Sequence, residues 1–399
     1  MNINDSRRIS YLFEESGFKK SSEEEADFII INSCAVRGRV VDRIRGKVNN
    51  LDSSKTLILT GCMLPKEKEE FSQKFDYLLD IKNLPNWHKQ IKELKKITKD
   101  KNYFHIKAKR KGLIAYIPIM TGCDNFCSYC AVPYTRGREV SRPLSEIIEE
   151  MKELIAEGFK EIWFLGQNVN SYNKGDSPDF SDLLKEANQV EGDFWIKFTS
   201  SHPKDFSEKL IKTMKECDKV SNYLNLPLQS GDDQILKAMN RPYSYKEYKE
   251  KIKKLRKEIP EITLSTDIIV GFPGETKKAF KNTKKALRKI NFDMAYIARY
   301  SPRPHSKAAQ LKDNVSDKEK KRRAKILTKV LKKAALKQNK KKIGQAVDFL
   351  PVDYKKGNLI GKTEDYKTIK VEGDEKKINK FQKAKITEAT DFGLKGKLI

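Results

Sequence analysis

The chain has 399 residues, with 82 Lys and Arg against 55 Asp and Glu, and a formal net charge of +27. Its length suggests two or three domains. No apolar run approaches the eighteen or so residues that cross a bilayer, and Met1-Asn2-Ile3-Asn4-Asp5 lacks the charged-then-apolar pattern of a signal peptide, so a soluble cytoplasmic protein is expected. The positive charge suits a polyanionic partner without separating RNA from DNA, although a Lys-rich surface alone would give the same number.

Residues 1–80 read as alternating helices and strands. Ser6–Glu15 puts Ile9, Leu12 and Phe13 on one helical face. Phe28-Ile29-Ile30-Ile31 and Thr56-Leu57-Ile58-Leu59-Thr60 are short continuous apolar runs, as in parallel strands covered on both faces, with a basic helix over Val36–Asn50 between them. Cys34 and Cys62 follow the two strands, at the end where open parallel sheets bind ligands. Residues 81–111 form a Lys-rich connector.

A longer βα alternation runs from Gly112 to about Pro304. Its strands are expected at Leu113–Ile119, Glu161–Leu165, Trp195–Phe198, Tyr223–Leu226, Ile262–Ile269 and Met294–Ala298. Helices between them include Ser145–Glu157, Phe206–Glu216 and Lys277–Ile290. Six βα units suggest a partial barrel of the triosephosphate-isomerase type, whose active site would lie past the strand C-termini. A doubly wound open sheet would pattern similarly. Asp317–Lys342 is helical, with thirteen Lys or Arg against two acids, the pattern of a solvated face. The tail, Ile343–Ile399, has short β-rich stretches such as Ala346–Val352 and Thr368–Val371 broken by glycines, which suits a small all-β barrel.

Three of the six cysteines fall within eight residues, in Cys123-Asp124-Asn125-Phe126-Cys127-Ser128-Tyr129-Cys130. Disulfides are not expected in a cytosolic chain, so the clustering points to metal. Three thiolates on a short loop can take three corners of an iron–sulfur cubane and leave the fourth iron open. Structural zinc would want four ligands, and the closest histidine upstream is His105 while the next cysteine downstream is Cys217.

This C-x3-C-x2-C loop after the first barrel strand resembles the signature of radical S-adenosylmethionine enzymes. Val132-Pro133-Tyr134-Thr135-Arg136-Gly137-Arg138-Glu139-Val140-Ser141-Arg142-Pro143 looks more narrowly like the methylthiotransferase family. Leu165–Tyr172, Thr266–Thr276 and Tyr300-Ser301-Pro302-Arg303-Pro304 are similar to it as well, and the tail resembles the family's RNA-binding TRAM domain. The fold class implied is α/β, with an N-terminal open α/β sheet domain, a central partial (β/α)6 TIM-like radical SAM barrel and a C-terminal all-β TRAM barrel. Boundaries are expected at 1–80, 81–111 (linker), 112–315, 316–342 (basic helical connector) and 343–399.

The resemblance implies a 4Fe–4S cluster on Cys123, Cys127 and Cys130, whose open iron binds the methionine end of S-adenosyl-L-methionine and whose electron yields a 5′-deoxyadenosyl radical. Cys34 and Cys62, in Asn32-Ser33-Cys34-Ala35-Val36-Arg37 and Gly61-Cys62, look like two of three ligands of an auxiliary 4Fe–4S cluster associated with the transferred sulfur. In the family the first such cysteine precedes a Gln-Met-Asn stretch, and this chain begins Met1-Asn2. That strand and its cysteine are therefore expected upstream, leaving two ligands of three in the sequence as it stands.

Tyr129 would meet the adenine, or else pack under the loop. Gln167, Asn168, Ser200, Gln229 and Asp267 sit past strand ends and could hold the methionine and ribose groups, or serve as ordinary loop residues. Gly271 and Gly274 would let the backbone approach the adenine, or simply turn the chain. His202 reads equally as structural or catalytic. His305-Ser306 replaces a Gly-Thr pair and carries no assigned role. Cys217 ends a helix and reads as a packed thiol.

Within the family, Met1-Asn2 followed by Asp5-Ser6 favours the branch that methylthiolates carbon 2 of N(6)-dimethylallyladenosine beside the tRNA anticodon. The branch acting on threonylcarbamoyl-adenosine tRNA is the nearest rival. A non-catalytic metal-containing RNA-binding protein would explain the charge and tail but not the open-sided cysteine loop. Expected partners are tRNA and an electron donor protein such as flavodoxin or ferredoxin, with a sulfur donor that stays open, no membrane, and a monomeric state.

Overall fold

The computed structural model describes residues 1–34, 38–52, 54–98, 102–109 and 112–399. Residues 35–37, which include the expected start of the basic helix and the end of the motif around Cys34, lie outside the described residues, as does the end of the connector at 110–111. Two compact units divide the chain. Met1–Gly112, Tyr116–Arg142 and Ser301–Gln310 form the first; Leu113–Ala115, Pro143–Tyr300 and Leu311–Ile399 form the second.

The first unit opens with α1 (Asn2–Glu15), β1 (Phe28–Cys34), α2 (Gly38–Val48), β2 (Thr56–Cys62), α3 (Pro65–Phe71) and β3 (Tyr77–Leu78). The strands form a parallel sheet in that order, with Phe28 opposite Thr56 and Cys34 opposite Cys62. Pairing thus runs through the polar Asn32, Ser33 and Thr60, so the cysteines are the last strand residues, whereas the apolar run suggested an end at Ile31. Hydrophobicity marks the covered part of a strand, and hydrogen bonding carries on past it. One face buries Ile29, Leu57 and Leu59 against Val41 and Ile44; the other buries Ile58 with Ile9, Leu12 and Trp87. The Lys-rich connector supplies part of that second core through Leu84, Trp87, Ile91, Tyr103 and Phe104.

The chain then passes through β4 (Ile114–Pro118), β5 (Met120–Thr121), α4 (Val132–Arg136) and β6 (Val140–Ser141), with β5 and β6 paired antiparallel. The second unit continues with α5 (Leu144–Ala156), β7 (Glu161–Leu165), α6 (Phe180–Gln189), β8 (Trp195–Phe198), α7 (Glu208–Glu216), β9 (Tyr223–Asn225), α8 (Asp233–Ala238), α9 (Tyr245–Glu258), β10 (Thr263–Val270), α10 (Lys277–Ile290) and β11 (Met294–Arg299). Two three-stranded sheets, β4-β7-β8 and β9-β10-β11, are linked by a parallel bridge from Ile196 to Val220, giving an open run of six strands. Side chains of Asp179, Ser207, Asp232, Ser244 and Thr276 cap the helix N-termini. The Ser207 cap explains why α7 starts after Phe206 rather than at it.

Helix α11 (Asp317–Lys340) follows. Its charge run looked solvated throughout, yet Lys320 and Arg323 are buried with Leu327, Leu331 and Ala335. The last strands, β12 (Ala346–Lys355), β13 (Asn358–Thr363), β14 (Thr368–Glu372), β15 (Gln382–Ala389) and β16 (Leu394–Leu398), close a barrel in the order β12-β13-β14-β16-β15 around Phe349, Leu359, Ile369, Val371 and Ile386.

The turn between β13 and β14 plugs the N-terminal ends of the six-stranded array. The Tyr366 ring lies 5.0 Å from Trp163 and 4.8 Å from Tyr223, Asp365 accepts from Thr263 at 2.7 Å, and Lys367 pairs with Asp293. The opposite, C-terminal ends stay clear of this plug. Among the described residues no helix is long and apolar enough to cross a membrane.

Candidate active site

The three-cysteine loop belongs to the first unit and follows β5. Gly122 makes its first turn at φ +82°, where an added Cβ would stand 1.9 Å from the Arg138 carbonyl oxygen, so no other residue fits. The Cys123 N–H donates to the Gly137 carbonyl at 3.2 Å and the Cys130 N–H to that of Cys127 at 2.9 Å. Ala308 N–H donates to the Ser128 carbonyl at 2.7 Å, pinning the loop's middle. The Asn125 amide lies 3.4 Å from Cys123 Sγ and the Val132 N–H 3.5 Å from Cys130 Sγ. Cys123 is buried, and Cys127, Tyr129 and Cys130 are half-buried.

This donor set fits an iron–sulfur cluster. Three soft ligands share one loop, two sulfurs meet N–H donors, and the loop is partly open. Burial raises the Cys123 thiol above its ordinary value, so a bound metal would have to draw off its proton. Among the described residues no three Cys, His, Asp or Glu side chains gather as around a single ion. Cubane thiolates bind separate irons.

Cys34 and Cys62 sit side by side at the ends of β1 and β2, Cys34 exposed and Cys62 buried. Gly61 has φ +97°, and a Cβ there would stand 2.2 Å from the Ser33 carbonyl, which lets the strands close up before the cysteines. Arg136 donates from Nε to Cys62 Sγ at 3.0 Å and from Nη2 to Asp5 Oδ2 at 2.6 Å; the Tyr103 hydroxyl also donates to Asp5. Burial raises the Cys62 thiol, and Arg136 opposes that rise. Two residues on, the Leu64 N–H donates to Glu67 at 3.0 Å, and Glu67 pairs with buried Arg303. The sequence motifs contain Arg136 and Arg303, Asp5 served only to mark the branch, and Tyr103 and Glu67 had no part. An acid wholly buried in a helix's first turn signals a partner, but not which one.

The remaining residues belong to the second unit, at the C-terminal ends of its strands. Gln167 and Asn168 follow β7, Ser200 follows β8, Gln229 follows β9, Asp267 lies in β10, and Gly271 and Gly274 follow it. Ser200 and Gln229 have φ +65° and +68°, strained values for side-chain-bearing residues that concentrate at functional sites. Gln229 bridges β10 by donating its N–H to the Asp267 carbonyl at 2.8 Å and accepting from Ile269 at 3.0 Å. Asn225 reaches Asp267 Oδ2 at 3.3 Å.

Among the described residues, buried polar atoms just past the ends of β7 and β8 have no hydrogen-bond partner: Gln167 Oε1, Asn168 Oδ1, both amide atoms of Asn170, Ser201 Oγ and His202 Nε2. Each such group costs about 1–3 kcal/mol unless something meets it, so a polar ligand is the economical explanation. Sequence reading missed Asn170 and Ser201. His202 uses Nδ1 to accept from Lys204 N–H at 3.1 Å, and burial, with Arg241, Lys204 and Lys174, pushes its pKa down to about 2. Burial therefore favours the neutral ring, with Nδ1 already engaged. At Gly271 the close approach is made by the Lys320 side chain, 2.3 Å from an added Cβ, whereas Gly274 has open space and needs glycine only for φ +84°. Cys217 is the buried C-cap of α7.

Family models match along the chain: the radical SAM superfamily at residues 117–287, uncharacterized protein family UPF0004 at 1–80, and the TRAM domain at 344–399. Over its whole length the chain is 40% identical to a tRNA-2-methylthio-N(6)-dimethylallyladenosine synthase of Caldicellulosiruptor saccharolyticus, covering 90% of that protein. It is 38% identical to one of Clostridium novyi, covering 94% of it. The radical S-adenosylmethionine methyltransferase TsrM of Kitasatospora setae has a similar fold (TM-score 0.55, 15% identity, 75% of this chain and 66% of that one). So has the cobalamin-dependent S-adenosylmethionine radical enzyme OxsB (TM-score 0.50, 12% identity, 82% and 54%).

Proposed function

The chain belongs to the tRNA-2-methylthio-N(6)-dimethylallyladenosine synthase family of radical S-adenosylmethionine methylthiotransferases, and from that premise we propose that it methylthiolates carbon 2 of dimethylallyl-adenosine beside a tRNA anticodon. The observation that carries the reading is the half-open loop of Cys123, Cys127 and Cys130. When bound there, a 4Fe–4S cluster supplies the electron that splits S-adenosylmethionine to the radical able to take hydrogen from an unactivated C–H bond.

The protein's own groups do the rest. Gln167, Asn168, Ser200, Gln229 and Asp267 would hold the methionine and ribose groups of the cofactor. Tyr129 would meet the adenine, and the Gly271–Gly274 turn would let the backbone approach it. The unmet polar atoms at the β7 and β8 ends support this assignment. Cys34 and Cys62 would supply two ligands of an auxiliary cluster, and Arg136 orients Cys62. His202, held neutral by burial, is given no proton-transfer role. The division proposed is a cysteine-pair domain over 1–80, a radical core over 112–315 and an RNA-binding barrel over 343–399, joined by 81–111 and 316–342. The enzyme works as a cytoplasmic monomer fed by an electron donor such as flavodoxin or ferredoxin.

The test supplies anaerobically reconstituted protein with S-adenosylmethionine, reductant and tRNA bearing dimethylallyl-adenosine, followed by mass spectrometry of the digested nucleosides. A 2-methylthio nucleoside is expected. Its formation instead on threonylcarbamoyl-adenosine tRNA would move the protein to the neighbouring branch.

A further inference from the structure

The turn Gly271-Phe272-Pro273-Gly274-Glu275 closes on itself only in part, through the Glu275 N–H donating to the Phe272 carbonyl at 2.9 Å. Glu275, 2% exposed, folds back to accept the Gly271 N–H at 2.7 Å. Its carboxylate pairs with Arg323, 4% exposed, whose Nη1 also donates to the Glu275 carbonyl at 2.8 Å. Asn314 Oδ1 accepts the Gly274 N–H at 2.9 Å. Lys320 lays its stem on Gly271, with its ammonium paired to Asp313 and 5.3 Å from the Tyr300 ring centroid. Arg323 is itself fixed by Glu319 at 2.9 Å and by the Phe280 ring at 5.3 Å. Three grips on one five-residue turn therefore come from residues 313–323, beyond the 117–287 match to the radical SAM superfamily.

Beyond the bond from Glu275 N–H to the Phe272 carbonyl, a turn with two glycines at positive φ is held here through its Gly271 and Gly274 N–H groups. Removing the guanidinium would leave a buried carboxylate unpaired beside the Gly271 amide, and the turn would relax. We infer that Arg323 is a positioning residue for S-adenosylmethionine: through buried Glu275 it fixes the Gly271–Glu275 turn in the form that receives the adenine. The inference rests on the reading of that turn as the adenine site. Helix α11 thereby sets cofactor affinity at its first turns, while at its far end Asn339 donates to the Thr390 carbonyl of the β-barrel at 2.9 Å.

The test measures equilibrium binding of S-adenosylmethionine, 5′-deoxyadenosine and methionine to anaerobic holoprotein, with cluster absorbance and thermal unfolding as controls. Arg323→Gln is expected to weaken S-adenosylmethionine and 5′-deoxyadenosine about tenfold and leave methionine unchanged, a split that general destabilisation would not produce. Glu275→Gln should behave alike, and the double variant should be no worse than either single one. Arg323→Lys, which keeps charge but not the fork, should recover part of the loss. Wild-type 5′-deoxyadenosine affinity in Arg323→Gln overturns the proposal. If that variant fails to fold, wild-type affinity in Arg323→Lys does so instead. Gly274→Val separates the two levels: normal adenine binding there sinks the underlying reading of the turn, whereas its loss alongside intact binding in Arg323→Gln sinks the role of Arg323 alone.

Discussion

Arg136 donates its Nε–H to the sulfur of Cys62 at 3.0 Å, and its Nη2 to Asp5 at 2.6 Å. The arginine closes the short helix after the three-cysteine loop, and its guanidinium ties that helix to the strand-end cysteine. Burial opposes its charge, but Cys62 and Asp5 outweigh burial and hold it protonated above its ordinary range. A hydrogen bond to a ligand sulfur also draws charge from it, which is one way proteins tune a cluster's potential.

Two consequences are measurable. Arg136→Ala leaves Asp5 charged and unpaired in the core and is expected to cost about 3–5 kcal/mol in denaturant unfolding. Arg136→Lys keeps a cation but cannot serve both partners, so tRNA methylthiolation should fall further than S-adenosylmethionine cleavage. Equal losses in the two assays would show that Arg136 serves the three-cysteine loop instead.

The plug under the six-stranded array changes how RNA binding has to be tested. Deleting residues 344–399 would strip Tyr366 from Trp163 and Tyr223 and leave Asp293 without Lys367. Tyr366→Ala alone should destabilise the second unit by about 2 kcal/mol, because Trp163 and Tyr223 would no longer have a ring to pack against. Surface substitutions are cleaner. Lys385 and Lys397 are exposed and face each other across β15 and β16, a like-charge pairing that costs stability unless a polyanion meets it. Lys385→Glu with Lys397→Glu should weaken tRNA binding and flatten its salt dependence, by about one unit of slope for each phosphate no longer neutralised. An unchanged salt slope would rule this face out.

His202 gives a pH prediction. Burial first, then Arg241, Lys204 and Lys174, lower its pKa to about 2 in the folded protein; Asp205, paired with Lys174, is the nearby acid. The unfolded chain takes up a proton near the ordinary value of about 6.5, so it binds more protons than the folded one below that pH. Stability from this group is complete above about pH 6.5 and falls as pH drops, by up to about 1.4 kcal/mol per unit. His202→Asn, which can still accept from Lys204 N–H, should lack this component in melts between pH 7 and pH 5. Identical pH profiles for the two proteins would contradict it.

Much of the fold was legible because the information is local. The β7 and β8 bounds match their apolar runs, and α10 matches its amphipathic pattern from the Thr276 cap to Ile290. The cysteine loop was legible because ligand spacing is short-range. Partners brought together by folding were not. Arg136 and Asp5 lie 131 residues apart, and Arg323 and Glu275 lie 48 apart. Periodicity tells which face is covered and is silent on what covers it. Lys320 and Arg323 were hidden inside a charge run most of whose other basic members are exposed, and Tyr366 sits in a turn where no pattern foretells burial.

The measurement that bears most directly on the account is reductive cleavage of S-adenosylmethionine by anaerobically reconstituted protein, read as 5′-deoxyadenosine formed. The wild-type chain should produce it, and alanine at Cys123, Cys127 or Cys130 should each abolish it, along with the iron–sulfur signal that the cofactor perturbs. Alanine at Cys34 or Cys62 should leave it largely intact. Continued 5′-deoxyadenosine formation in the Cys123→Ala, Cys127→Ala, Cys130→Ala triple variant would show that the radical chemistry arises elsewhere and that the account is wrong.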